Sequence, residues 1–147
     1  MMSRFTLPAL ALLAGAAFVS PARADMPDTP VGRLAKAHLE AVAAGDVPAI
    51  TAPYNGETRL HWVGGPLNGT YAGSAALGEV WGKFAKAQAP LKAKIDDVKE
   101  GGNPAGTTVT AKVVFSGKNT LKVRYVMLFR EDKLVDEIFQ LDPKMED

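Results

Sequence analysis

The residue best suited to acid–base chemistry in this 147-residue sequence is His38. It is the one polar member of an apolar stripe with helical spacing, whose other members are Val31, Leu34, Ala35 and Val42. A neutral imidazole facing the interior can donate to a ligand oxygen or accept a proton near pH 7. The structural alternative is a core histidine whose ring nitrogen bonds to a backbone carbonyl. The sequence leaves both interpretations open.

The other histidine, His61, alternates with Trp62 in a predicted strand, so we expect it on the outer face of a sheet or at an interface. Two histidines on opposite sides of a sheet cannot share a metal ion, and the sequence predicts no metal site. It contains no cysteine, which excludes disulfides, thiolate nucleophiles, iron–sulfur clusters and thiolate zinc sites. No cofactor is predicted.

Two helices are predicted before the first strand. Thr29 is placed to cap the first helix, Pro30 fits its first turn, and Gly45 is placed to end it. Asp46 caps a second, short helix that runs to about Tyr54. These signals are local, so the first helix positions His38 whatever the rest of the chain does.

A third helix and five main strands follow. The helix is predicted to begin at Ser74 as its cap, and its apolar stripe is Leu77, Val80, Trp81 and Phe84. Gly78 and Gly82 inside it each cost about 1 kcal/mol relative to Ala, so either another segment packs closely there or the helix is loose. Period-two alternation predicts strands at 57–63, 91–96, 108–115, 121–129 and 134–141.

This order of elements predicts an α+β fold: a strongly curved antiparallel sheet with three helices on its concave face, enclosing a conical cavity. The motifs AAGD at Ala43–Asp46, HWVGGPLNG at His61–Gly69 and FQLDP at Phe139–Pro143 resemble the nuclear transport factor 2-like superfamily, in its SnoaL-like or ketosteroid-isomerase-like branch. The resemblance covers about residues 31–143. It is specific for fold and weak for function, because the superfamily contains enzymes as well as binding modules.

The resemblance also implies roles for individual residues. The position of the isomerase base falls on Trp62, and an indole cannot act as a base. The proton donors correspond to His38 and Tyr125, and an aromatic wall residue corresponds to Trp81. Ligand contacts are expected from a set facing the cavity: His38, Leu60, Trp62, Trp81, Tyr125, Met127 and Gln140. The two tryptophans either line a pocket for a ring-shaped ligand or fill the cone completely.

The last strand supplies the remaining candidate for a base. Alternation places Asp136 and Gln140 on one face with Leu134 and Ile138. The resemblance implies that this strand can bring polar groups to the cavity mouth, which makes Asp136 the substitute base. The alternative interpretation is a solvated charge on a strand.

Residues 1–24 have the pattern of a secretory signal: Arg4, an apolar run, and the cleavage box Ala22–Ala24. We expect one domain over 25–147, exported to a bacterial periplasm or secreted, with no membrane association after cleavage. Without Arg4 and Arg23 the chain has 15 basic and 16 acidic residues, a net charge of −1. This balance gives no reason to expect a nucleic-acid partner.

Three functions are compatible with these observations. The first is binding of an apolar or aromatic small molecule by Trp62, Trp81 and Tyr125, with His38 as polar contact. The second is a cofactor-independent isomerase, dehydratase or cyclase that uses His38 as acid or base and Tyr125 as oxyanion donor. The third is a homodimeric interaction module that pairs through the outer sheet face at Arg124, Val126 and Leu128.

Overall fold

The computed structural model describes residues 26–146, so the predicted signal at 1–24 lies outside the described residues. Over these residues the structure has three helices and six strands, and the six strands make one curved mixed sheet that does not close into a barrel. The elements in chain order are α1 Pro30–Ala44, α2 Val47–Thr51, β1 Tyr54–Val63, β2 Gly69–Ala72, α3 Ser74–Gln88, β3 Lys92–Asn103, β4 Gly106–Ser116, β5 Thr120–Arg130 and β6 Lys133–Leu141. Within 26–146, no helix is long and apolar enough to span a membrane.

The local signals for the first two helices are confirmed. The Thr29 hydroxyl accepts the Gly32 amide at 2.9 Å, and the Asp46 carboxylate accepts the Ala49 amide at 3.2 Å. Gly45 ends α1 in the left-handed conformation, with φ of 70°. The third helix differs, because Ser74 is its first residue and no side chain caps it.

The strand order is β2-β1-β6-β5-β4-β3. All neighbouring strands are antiparallel except β1 and β6, which are parallel. The prediction of an antiparallel sheet is therefore corrected at this pair. Parallel neighbours need a long crossover connection, and α3 with the β3–β5 meander supplies it. The pair places β1, which contains Trp62, beside β6, which contains Asp136.

One hydrophobic core lies between the helices and the inner face of the sheet. It includes Leu39 of α1, Trp81 and Phe84 of α3, and Tyr125 and Phe139 of the sheet. β-bulges interrupt the register in β1, β3 and β6, and such bulges increase the local twist and bend a strand. The resulting curvature lets a single sheet wrap around its own core.

Candidate functional site

Six of the residues predicted to face the cavity are buried inside the cone. They are His38, Leu60, Trp62, Trp81, Tyr125 and Met127. Asp136 and Gln140 are not among them: the Asp136 side chain is 42% exposed and pairs with His61, and Gln140 is exposed. Asp136, Ile138 and Gln140 do share one face of β6, but Leu134 lies on the opposite, buried face, so the expectation that Leu134 shares theirs is corrected.

A β-bulge in β6 explains why Leu134 and Asp136 lie on opposite faces. Leu128 pairs with Asp136 whereas Phe129 pairs with Leu134, which leaves Val135 as an extra residue. One extra residue exchanges the two faces of a strand beyond that point. The inner face after the bulge therefore carries Glu137, which is only 1% exposed.

Glu137 is the centre of a hydrogen-bonded group that we call the inner cluster: the buried His38, Trp81, Tyr125 and Glu137, and the half-buried Tyr54. Glu137 Oε2 accepts from His38 Nε2 at 2.7 Å and from the Tyr125 hydroxyl at 2.9 Å. The Tyr54 hydroxyl donates to Glu137 Oε1 and itself accepts from Trp81 Nε1 at 2.8 Å. His38 Nε2 and the Tyr125 hydroxyl lie 3.2 Å apart. The carboxylate thus accepts from three donors.

Burial determines the protonation of the two tyrosines. Removal from water raises the pKa of Tyr54 and of Tyr125 well above the usual value of 10.0, and the Glu137 charge raises both further. Both phenols therefore remain protonated donors at neutral pH. Within the described residues His38 Nδ1 is buried and has no hydrogen-bond partner. If Nε2–H donates to Glu137, a neutral His38 has an unused acceptor at Nδ1.

Aromatic rings fill the space next to the inner cluster. Trp62 stacks on Phe139 with ring centroids 4.1 Å apart, and it packs against Trp81 at 5.4 Å. Phe139 in turn meets the Tyr125 ring edge-on at 5.5 Å. This packing favours the alternative in which the tryptophans fill the cone.

An apolar groove opens where α3 passes the end of the sheet, and we call it the Trp62 groove. Its volume is about 290 Å³, and its lining residues are Trp62, Pro66, Leu67, Lys83, Phe84, Ala87, Gln88, Leu121 and Leu141. Trp62 belongs both to this groove and to the aromatic packing beside the inner cluster. A molecule bound in the groove would therefore contact the ring that packs against Trp81 of the cluster.

The outer face of the sheet carries a separate polar group. His61 Nε2 lies 3.0 Å from Asp136 Oδ1, and His61 Nδ1 lies 3.2 Å from the Thr70 hydroxyl. Beside them is a shallow depression of about 260 Å³ with Val126 and Leu128 in its wall. Nowhere in residues 26–146 do three or more His, Cys, Asp or Glu side chains form a group that could hold a metal ion.

Sequence reasoning missed Glu137 and Tyr54. The signal for Glu137 was the bulky Phe139: a buried Phe139 places Glu137 on the same inner face by simple alternation. Tyr54 was assigned to the end of the second helix, but that helix ends at Thr51 and Tyr54 begins β1. No local pattern places the Tyr54 hydroxyl beside a carboxylate 83 residues away.

The fold and the site define a class of small α+β domains with a helix-covered, conical sheet. Residues 35–136 match the model of the SnoaL-like domain family, and the chain belongs to this family. No curated protein matches the sequence.

Solved structures agree on the fold. A protein from Nostoc punctiforme with a cystatin-like fold has a TM-score of 0.65 at 14% identity, over 79% of this chain and 91% of that one. A nuclear transport factor 2-like protein from Pseudomonas putida has the same TM-score and identity, over 79% and 87%. A de novo designed protein with a curved β-sheet has a TM-score of 0.63 at 18% identity, over 81% and 90%. At these identities the likeness concerns the fold alone.

Proposed function

We propose that this domain binds a small apolar or aromatic molecule in the Trp62 groove. The observation that carries the proposal is a concave, mostly apolar surface with an aromatic wall, formed by Trp62 and Phe84 and completed by Leu67, Leu121 and Leu141. Ligand sites are typically concave and apolar with a few polar groups, and about 290 Å³ is at the small end of their usual range. The ligand is therefore small, on the scale of one or two rings.

The test is a calorimetric titration with naphthalene as a neutral probe. Ala87→Phe fills the groove and should weaken binding at least tenfold. Ala75→Phe is the matched control, because Ala75 is also exposed on α3 but does not line the groove. Quenching of tryptophan fluorescence by the probe should be lost in Trp62→Ala. Equal affinities of Ala87→Phe and the unaltered protein would refute the proposal.

A second candidate function is acid–base catalysis without a cofactor, of the isomerase, dehydratase or cyclase kind. The observation that favours it is the convergence of His38 and Tyr125 on one oxygen of Glu137, at 2.7 and 2.9 Å. In such a reaction Glu137 with His38 would take and return a proton, and the Tyr125 hydroxyl would donate to the developing oxyanion. The substrate oxygen would replace Glu137 Oε2 as the acceptor of the hydrogen bond from the Tyr125 hydroxyl.

Exchange of the α-protons of cyclohexanone in D₂O, followed by NMR, tests this candidate. A functional cluster should accelerate exchange over buffer, and Glu137→Gln and His38→Gln should lower the rate by about a hundredfold. His61→Gln is the matched control on the opposite face of the sheet. If the unaltered protein exchanges no faster than buffer, or if all three variants retain its rate, this candidate is eliminated.

Export and self-association complete the proposal. We propose that residues 1–24 direct the chain to the periplasm, or out of the cell, and are then removed. N-terminal sequencing of the mature protein should begin at Asp25.

We also propose a homodimer that pairs through the outer sheet face around Val126 and Leu128, where apolar residues line the depression. Light scattering should give twice the monomer mass for the unaltered protein and the monomer mass for Val126→Glu.

A further inference from the structure

We infer that the ligand of the Trp62 groove carries a carboxylate, held at the rim by Lys83. This inference rests on the proposed binding function and adds the chemical class of the ligand. Lys83 is the only charged residue among the nine that line the groove, and none of the nine is acidic. The groove thus combines an apolar wall with a single positive charge.

The rim presents donors and no free carboxylate. Gln88 Oε1 already accepts from Asn119 Nδ2 at 3.1 Å, so the Gln88 amide nitrogen is the part left to contact a ligand. An ammonium and an amide N–H₂ group at one edge can both donate to the oxygens of a carboxylate. An amine or a neutral acceptor-poor molecule would gain nothing from this edge.

The present partner of Lys83 does not prevent this role. Lys83 Nζ lies 3.2 Å from Glu79 one turn earlier on α3, and the side chains are 63% and 69% exposed. Exposed pairs at this spacing are weak, so exchanging Glu79 for a ligand carboxylate costs little. The C-terminal end of α3 opposes an anion, but its partial charge of about one half is smaller than the full charge of Lys83.

Three probes with the same tail test the inference: octanoate, octanol and octylamine, titrated by calorimetry at pH 7.5 and low salt. Octanoate should bind the unaltered protein about five times more tightly than octanol, and octylamine should bind more weakly than octanol. Lys83→Met should give octanoate and octanol equal affinities. Lys86→Met, on the same helix but outside the groove, should keep the preference.

Glu79→Gln provides a change in the opposite direction. It frees Lys83 and should strengthen octanoate binding up to about twofold without changing octanol binding. If octanol and octanoate bind the unaltered protein equally, the carboxylate inference fails while the groove remains a binding site. If neither probe nor naphthalene binds, the proposed function itself fails and the inference with it.

Discussion

Replacement of Glu137 by leucine should strongly destabilise the fold, because it removes the acceptor shared by the buried His38 and Tyr125 donors and the half-buried Tyr54 hydroxyl. Each buried donor left without a partner costs about 1–3 kcal/mol. His38 Nε2 and the Tyr125 hydroxyl lie 3.2 Å apart and can bond to each other, which recovers part of the loss. We therefore expect Glu137→Leu to lower the free energy of unfolding by about 3–5 kcal/mol, a large share of the 5–15 kcal/mol typical of a domain.

Urea unfolding followed by circular dichroism measures this change, with the slope of the transition as a check on the two-state assumption. Asp136→Leu is the matched control, because the neighbouring carboxylate is 42% exposed and its pair with His61 should contribute less than about 1 kcal/mol. A Glu137→Leu variant within about 1 kcal/mol of the unaltered protein would refute the assignment of Glu137 as the acceptor of the inner cluster.

Three further predictions concern pH and glycines. Because burial raises the pKa of Tyr54 and Tyr125 in the folded state, stability should be fully present below pH 10. Above pH 10 it should fall by about 1.4 kcal/mol per pH unit for each tyrosine, and Tyr125→Phe should reduce this slope in urea titrations. Gly78→Ala and Gly82→Ala should each raise the free energy of unfolding by about 0.5–1 kcal/mol, since the added Cβ meets no atom within 4 Å beyond its chain neighbours and the backbone of its own helix. A lowered melting temperature in either variant would contradict this. Gly45→Ala should destabilise, since φ is +70° and its Cβ would lie 2.5 Å from that of Ala89. Thermal unfolding checks this sign, and an unchanged melting temperature would show that the turn can relax.

The sequence predicted the elements that depend on local chemistry. The caps at Thr29 and Asp46 and the end at Gly45 need only residues within one turn, so the bounds of α1 followed from the sequence alone. The stripe of α1 placed His38 inside for the same reason. What local patterns could not show is the parallel β1–β6 pair, because strand pairing depends on where distant segments meet.

The candidate site was predicted in part, and the error in β6 has one physical source. A bulge at Val135 adds one residue to β6, and period-two reading across it assigns every later side chain to the wrong face. Asp136 was therefore nominated in place of its neighbour Glu137. Sequence alternation has no marker for a bulge that contains neither glycine nor proline.

The fold itself does not require the polar side chains of the inner cluster. A designed protein shares this fold with a TM-score of 0.63, and ideal cores are built from apolar residues. A buried carboxylate with its donors is often no more stabilising than an apolar core of the same shape. In the β1–β6 register Leu60 pairs with Glu137, so the carboxylate lies on the strand beside the one whose implied base position is occupied by Trp62.

A combined apolar replacement of the inner cluster tests whether the cluster stabilises the fold or serves chemistry or ligand recognition. The variant carries His38→Leu, Tyr54→Phe, Tyr125→Phe and Glu137→Leu, so that no donor loses its acceptor except Trp81 Nε1. If it is as stable as the unaltered protein, or more so, by urea unfolding, the cluster adds no stability to the fold. The chain would then have kept a buried carboxylate for chemistry or ligand recognition. A loss as large as that of Glu137→Leu alone would mean that the cluster is structural, and acid–base catalysis would lose its main support.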